Sequence, residues 1–222
     1  MELSLAQFIE FSKDDKVQII DTRIGSEFLQ GYIPGSIHVE LDAIKTLNAL
    51  KIIEPDCPII LVCTEETAAI AIKKFELLGY TQVKGFLQGG FATWVEADEK
   101  IDLIIEVEVD ELAMDIPFDE YLMILDIRTE DVYDKAHIKD SINLPLIEFS
   151  DPGSMSELDE HFNIYIIDDS GKELLLAASV LKKQGIHNIR IVQDGWEAVE
   201  FLKNKFNIIA SPKKPTTTSA EN

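Results

Sequence analysis

The sequence predicts an α/β fold, a mainly parallel central sheet with helices on both faces, built twice. Three observations predict it. Short apolar runs alternate with helical stretches, as parallel βαβ units require. These runs recur about 105 positions apart, so one unit follows another along the chain. And 222 residues, 46% of them hydrophobic, have room for two domains of about 100 residues each.

In the first unit, residues 17–21 form a β-branched apolar run that closes on Asp21-Thr22-Arg23. Strands are likewise expected at 36–39, 59–63 and 83–88, separated by helical stretches at 41–47, 68–78 and 91–97. The second unit repeats the plan. Leu122-Met123-Ile124-Leu125 closes on Asp126-Ile127-Arg128, and Asp21 to Asp126, Phe28 to Tyr133 and Cys63 to Asp168 are each 105 apart. Residues 32–38 align with 137–143, and Gln88-Gly89-Gly90-Phe91 aligns with Gln193-Asp194-Gly195-Trp196. Gly79 and Gly185 differ by 106, which implies a one-residue loop insertion. The expected organisation is a domain at 1–98, a charged linker at 99–106, a second domain at 107–206 and an unstructured Pro/Thr-rich tail at 207–222.

Forty-one acidic against twenty basic residues give a net charge of −21. Such a surface repels nucleic acid and anionic membranes, so neither is an expected partner; the acidity reads as solubility, with a basic protein partner as the alternative. No apolar stretch reaches the roughly 18 residues of a membrane span. Met1-Glu2-Leu3-Ser4-Leu5 lacks the basic start and long apolar core of a signal peptide, so the cytoplasm is the expected compartment. Two cysteines make no disulfide framework, and four histidines show no metal-ligand spacing. No phosphate-binding glycine loop is present, so neither a metal nor another cofactor is expected.

Cys63 ends an apolar strand just before a helix, where backbone N–H groups converge and the helix dipole favours an anion. In a parallel sheet such strand ends form the site. Asp21-Thr22-Arg23, Glu27-Phe28, the segment 31–38 ending in His38, the strand ending in Cys63, and Gly89-Gly90 followed by Trp94 resemble, in order and spacing, the motifs of the rhodanese (sulfurtransferase) family. The resemblance covers nearly all of 1–98 and, more weakly, 107–203. It implies a tandem rhodanese-like protein in which Cys63 accepts a sulfane sulfur from a donor, becomes a persulfide and passes the sulfur to a thiol acceptor.

The loop departs from the family's Cys-x-x-Gly-x-Arg. Here it reads Cys63-Thr64-Glu65-Glu66-Thr67-Ala68, with Glu66 at the glycine position and Ala68 at the arginine position. Losing a cation and adding carboxylates disfavours a thiolate and repels anionic donors, so weak activity with thiosulfate is expected. In the second domain the loop is Asp168-Asp169-Ser170-Gly171-Lys172-Glu173. A carboxylate cannot carry a persulfide, so this degenerate site, with Asp168, Gly171 and Glu173 at the three key positions, is expected to be inactive. The alternative function is a non-catalytic tandem module for regulation or protein binding. Asp21 with Arg23 is expected to form a structural ion pair, and His38 to be a hydrogen-bonded structural histidine. Cys57 lies before the strand, roughly 20 Å from Cys63 across it, and is expected to play no part. A cysteine phosphatase of related fold would need arginine where Ala69 stands.

Overall fold

The structure is a computed structural model that describes residues 1–155 and 158–212. The first domain contains β1 (Glu2–Leu3), α1 (Leu5–Ser12), β2 (Gln18–Asp21), α2 (Gly25–Leu29), β3 (Ser36–His38), α3 (Ile44–Ala49), β4 (Ile59–Val62), α4 (Glu65–Leu77), β5 (Val83–Leu87) and α5 (Gly90–Glu96). The second contains β6 (Ile105–Val107), α6 (Val109–Asp115), β7 (Leu122–Asp126), α7 (Glu130–Tyr133), β8 (His137–Ile138), β9 (Ile142–Asn143), β10 (Asn163–Ile167), α8 (Leu174–Lys183), β11 (Ile189–Val192), α9 (Gly195–Phe201) and β12 (Ile208–Ile209).

Each domain carries a five-stranded sheet, ordered β1-β5-β4-β2-β3 in the first and β6-β11-β10-β7-β9 in the second. Every pairing within the two sheets is parallel. The central strand of each is buried on both faces, Ile59–Val62 in one and Ile164–Ile167 in the other, which is why both read as unbroken apolar runs.

The outer faces of the two sheets have separate cores. Phe8, Ile60, Val62 and Trp94 pack under α1 and α5, and Leu112, Tyr165, Ile167 and Val199 under α6 and α9. The inner faces share one. A single cluster runs from Ile20, Leu61 and Phe75 to Ile164, Leu176 and Leu181. Helix α8 lies at its centre. From Leu176 to Leu181 every residue of α8 is buried, because the helix packs on its own sheet and on β3 of the other domain. There Ser179 Oγ accepts the His38 backbone N–H at 2.9 Å and donates to Leu176 O. A free donor on the edge strand is thus satisfied inside the core, as buried backbone groups must be.

Two boundaries differ from the sequence expectation. Residues 99–106 are not a bare linker. Tyr32 and Asp102 exchange backbone hydrogen bonds, Lys182 pairs with Asp102 at 2.8 Å, Ile104 is buried, and β6 begins at Ile105. The charges at 98–106 read as a solvated connector, whereas Asp102 is the partner of the buried Tyr32 hydroxyl and of Lys182. The expected tail at 207–222 also starts too early. Ile208–Ile209 pairs antiparallel with β8, Ile208 opposite Ile138 and Ile209 opposite His137, and 213–222 lie outside the described residues. No helix among the described residues is long and apolar enough to cross a membrane.

Candidate functional site

Cys63 follows β4 directly and is 2% exposed. It floors a cavity of about 450 Å³ lined also by Arg23, Glu27, Gln30, Gly89, Gly90 and Phe91. Gly90, at φ +61°, lets the chain pass so close that a Cβ there would lie 2.9 Å from Cys63 O. Thr64, Glu65 and Glu66 complete the rim.

The segment 64–68 is not a loop. Helix α4 begins at Glu65, three residues before the expected start, with Thr64 as the N-cap residue and Thr67 and Ala68 N–H groups bonded to Thr64 O. The cause is local. Without glycine at position 66 the backbone has no reason to curl around the sulfur, while acids in a first turn favour helix. The Glu66 carboxylate is held below its usual range by its own backbone N–H and by the Thr64 hydroxyl. The helix terminus therefore serves its own anion. Ala68, at the arginine position, is buried in the shared core and contributes no charge.

Burial pushes the Cys63 thiol up to about 12 from an ordinary 9.0, and the nearby Asp21 carboxylate adds to the rise. Arg23 lines the cavity, yet its charge is already spent. Its Nη2 and Nε bond the Asp21 carboxylate at 2.6 and 3.0 Å, Nη2 also bonds Gly31 O, and the guanidinium lies 4.1 Å over the Phe91 ring. His38 donates from Nε2 to Arg23 O at 3.0 Å and packs on Phe28, and burial holds its imidazole below the usual range. Cys57 is half-buried and does not line the cavity, and both cysteines are free thiols.

The second domain retains this scaffold. Arg128 clamps Asp126 in the same way and lies 3.9 Å over Trp196, and Asn143 replaces His38, bonding Asp126 O and Arg128 O. Its loop differs in shape as well as chemistry. Residues 168–173 stay non-helical, Gly171 takes φ +82°, and α8 starts only at Leu174. The Asp168 carboxylate occupies the resulting cradle, accepting the Gly171 N–H at 2.5 Å, the Glu173 N–H at 2.8 Å and the Ser170 N–H. Asp168 is 3% exposed, and burial raises its pKa against the opposing pull of those bonds. Glu173, at the arginine position, is raised by burial and by Asp168.

The structure thus brings Cys63, Arg23 and residues 64–66 to one cavity, bonds Asp21 and His38 to Arg23 without their lining it, and puts Asp168, Gly171 and Glu173 in the other domain. Sequence reasoning had not placed Gln30 or Phe91 in the site. The repeat itself could have found Phe91, since Phe91 and Trp196 hold equivalent positions over equivalent arginines. Among the described residues no group of three or more His, Cys, Asp or Glu side chains is placed to hold a metal.

The family model for the Rhodanese-like domain matches residues 4–97 and 108–201. YrkF of Bacillus subtilis (strain 168), named as a candidate sulfur carrier protein, is 35% identical over 99 residues, covering 45% of this chain and 52% of its own length. The chain therefore spans about half the length of that curated relative. Among solved structures, thiosulfate sulfurtransferase from Pseudomonas aeruginosa is 16% identical with a TM-score of 0.41, covering 96% of this chain and 44% of its own. The Alr3790 protein from Anabaena sp. is 19% identical with a TM-score of 0.43, covering 47% and 80%. The family model spans most of the sequence in two successive copies, and this chain belongs to the rhodanese-like domain family as a tandem member.

Proposed function

We propose that this chain is a rhodanese-type sulfur-transfer protein in which Cys63 alone carries the sulfur. The carrying observation is the position of Cys63 at the end of the central strand, flooring the 450 Å³ cavity in the domain that keeps the family's motifs. In the reaction the Cys63 proton is lost to water and the thiolate attacks the outer sulfur of a donor persulfide. The donor's S–S bond breaks, its thiolate leaves and takes a proton, and Cys63 holds the persulfide. An acceptor thiolate then attacks the outer sulfur and Cys63 leaves as thiolate.

The charge around the cavity selects the donor. Glu27, Glu65 and Glu66 face it, and Arg23 is already neutralised by Asp21. A dianion such as thiosulfate meets repulsion with no free cation to offset it, so an uncharged sulfane-sulfur group on a thiol or protein suits the site better. The name of the Bacillus relative is consistent with a carrier role.

A non-catalytic binding role is favoured by one observation, the high thiol pKa of Cys63 in a site whose loop has been absorbed into a helix. The experiment that separates the two measures sulfur delivered to a thiol acceptor from thiosulfate, mercaptopyruvate and glutathione persulfide. Transfer from glutathione persulfide, slower from thiosulfate and lost in Cys63→Ser, is expected. Transfer that survives Cys63→Ser sinks the assignment of the carrier, and no transfer from any donor supports the binding role.

A further inference from the structure

A second cavity, about 520 Å³, lies between the domains and shares no residue with the Cys63 cavity. Its first-domain wall is Gly25, Ser26 and Leu29 of α2 with His38, Val39 and Glu40. Its second-domain wall is Gly171, Lys172 and Glu173 of the degenerate loop, then Leu175 and Leu176, with Glu106 from β6. The domains meet closely here, since a Cβ on Gly25 would lie 2.9 Å from Leu175 Cδ1.

We propose that this interdomain cleft docks a basic segment of a partner protein, an arginine or lysine side chain laying its aliphatic stem on Leu29, Val39, Leu175 and Leu176 and its cation among Glu40, Glu106 and Glu173.

Charge complementarity carries the choice of occupant. Three carboxylates from three separate segments converge on the cleft against one cation, Lys172. The Glu40 carboxylate is fixed by the Gly25 N–H at 2.9 Å, whereas the Glu106 and Glu173 carboxylates have no hydrogen bond or ion pair among the described residues. Both are raised first by burial and then by further acids behind them, Glu108 and Asp194 for one, Asp168 and Asp169 for the other. A cation relieves that repulsion. Small-ligand sites instead rely on a few buried polar groups aimed inward. The buried polar residue here is His38, and its Nε2 and backbone N–H are already engaged by Arg23 and Ser179. What remains is an apolar floor with carboxylates at the rim, which suits a long cationic side chain presented from outside. The net charge of −21 steers basic macromolecules towards it. The second domain, without a nucleophile, gains a role through the same loop that lost one. The proposal stands whether or not Cys63 carries sulfur.

The test uses the full chain and a fluorescein-labelled peptide of alternating arginine and leucine, read by fluorescence anisotropy. Glu106→Gln with Glu173→Gln is expected to weaken binding about tenfold or more. Leu175→Ala should weaken it without altering charge, which separates a docking seat from general attraction. Glu76→Gln with Glu96→Gln removes the same charge from exposed positions on α4 and α5, outside the cleft, and should change affinity far less. Circular dichroism checks that each variant is folded. No binding by the wild type overturns the proposal, as does an equal loss in the remote pair, or displacement of the peptide by an equal concentration of free arginine.

Discussion

The reactivity of Cys63 should rise with pH far beyond the range in which an ordinary thiol levels off. A thiol pushed to about 12 from 9.0 costs roughly 4 kcal/mol more to ionise, at 1.36 kcal/mol per unit. At pH 7 about one part in 100,000 is thiolate, against about one in 100 for the ordinary thiol. The rarer thiolate is the better nucleophile, by roughly 30-fold for a three-unit rise at a Brønsted slope near 0.5. The two effects leave a net deficit of about 30-fold at neutral pH. Burial slows access further, so the absolute rate is less telling than its slope. The assay is alkylation of a Cys57→Ser protein by iodoacetamide, followed by intact mass from pH 6 to pH 10. The rate should climb about tenfold per unit across that whole range. A plateau with its midpoint at or below pH 8 would refute the reasoning, because it would require a cation or donor set that the site does not contain.

Other outcomes follow from the same geometry. Asp21→Asn should lower the Cys63 pKa, moving the alkylation profile to lower pH, while leaving Arg23 buried and unpaired at a cost of about 3–5 kcal/mol in chemical denaturation. Ser179→Ala orphans the His38 N–H inside the shared core and should cost about 1–3 kcal/mol, with both domains affected in one transition. Gly90→Ala forces a side chain into the left-handed region and against Cys63 O, so a loss of about 2 kcal/mol with altered Cys63 alkylation is expected. Glu173 is raised in the folded state, so its contribution is most favourable below the ordinary pKa of 4.5 and is lost as pH rises through the folded value. Glu173→Gln should accordingly raise the melting temperature at pH 7 and leave it unchanged near pH 4.

Much of the architecture was legible because parallel sheets write themselves as apolar runs and because a duplication repeats them. The match of Asp21-Thr22-Arg23 to Asp126-Ile127-Arg128 proved to be one clamp built twice, down to the ring over each guanidinium. The contrast at 63 and 168 was legible as chemistry but not as conformation. The helix was expected to start at Ala68, whereas α4 begins at Glu65 and takes in Glu65 and Glu66 as first-turn acids. At Gly171 the loop survived, and the Asp168 carboxylate filled the cradle it makes. The meeting of the domains left no mark in periodicity. An α8 buried almost all round reads only as an apolar helix, and Ser179 looks like an ordinary helix serine until β3 is beside it. Asp102 was likewise one acid among many until Tyr32 and Lys182 were seen to converge on it.

The central claim is that Cys63 carries the sulfur, and intact mass with peptide mapping after exposure to glutathione persulfide tests it most directly. One added sulfur atom on the peptide containing Cys63, retained in Cys57→Ser and absent in Cys63→Ser, is the predicted result. Sulfur on Cys57, or none on wild-type protein, contradicts the account.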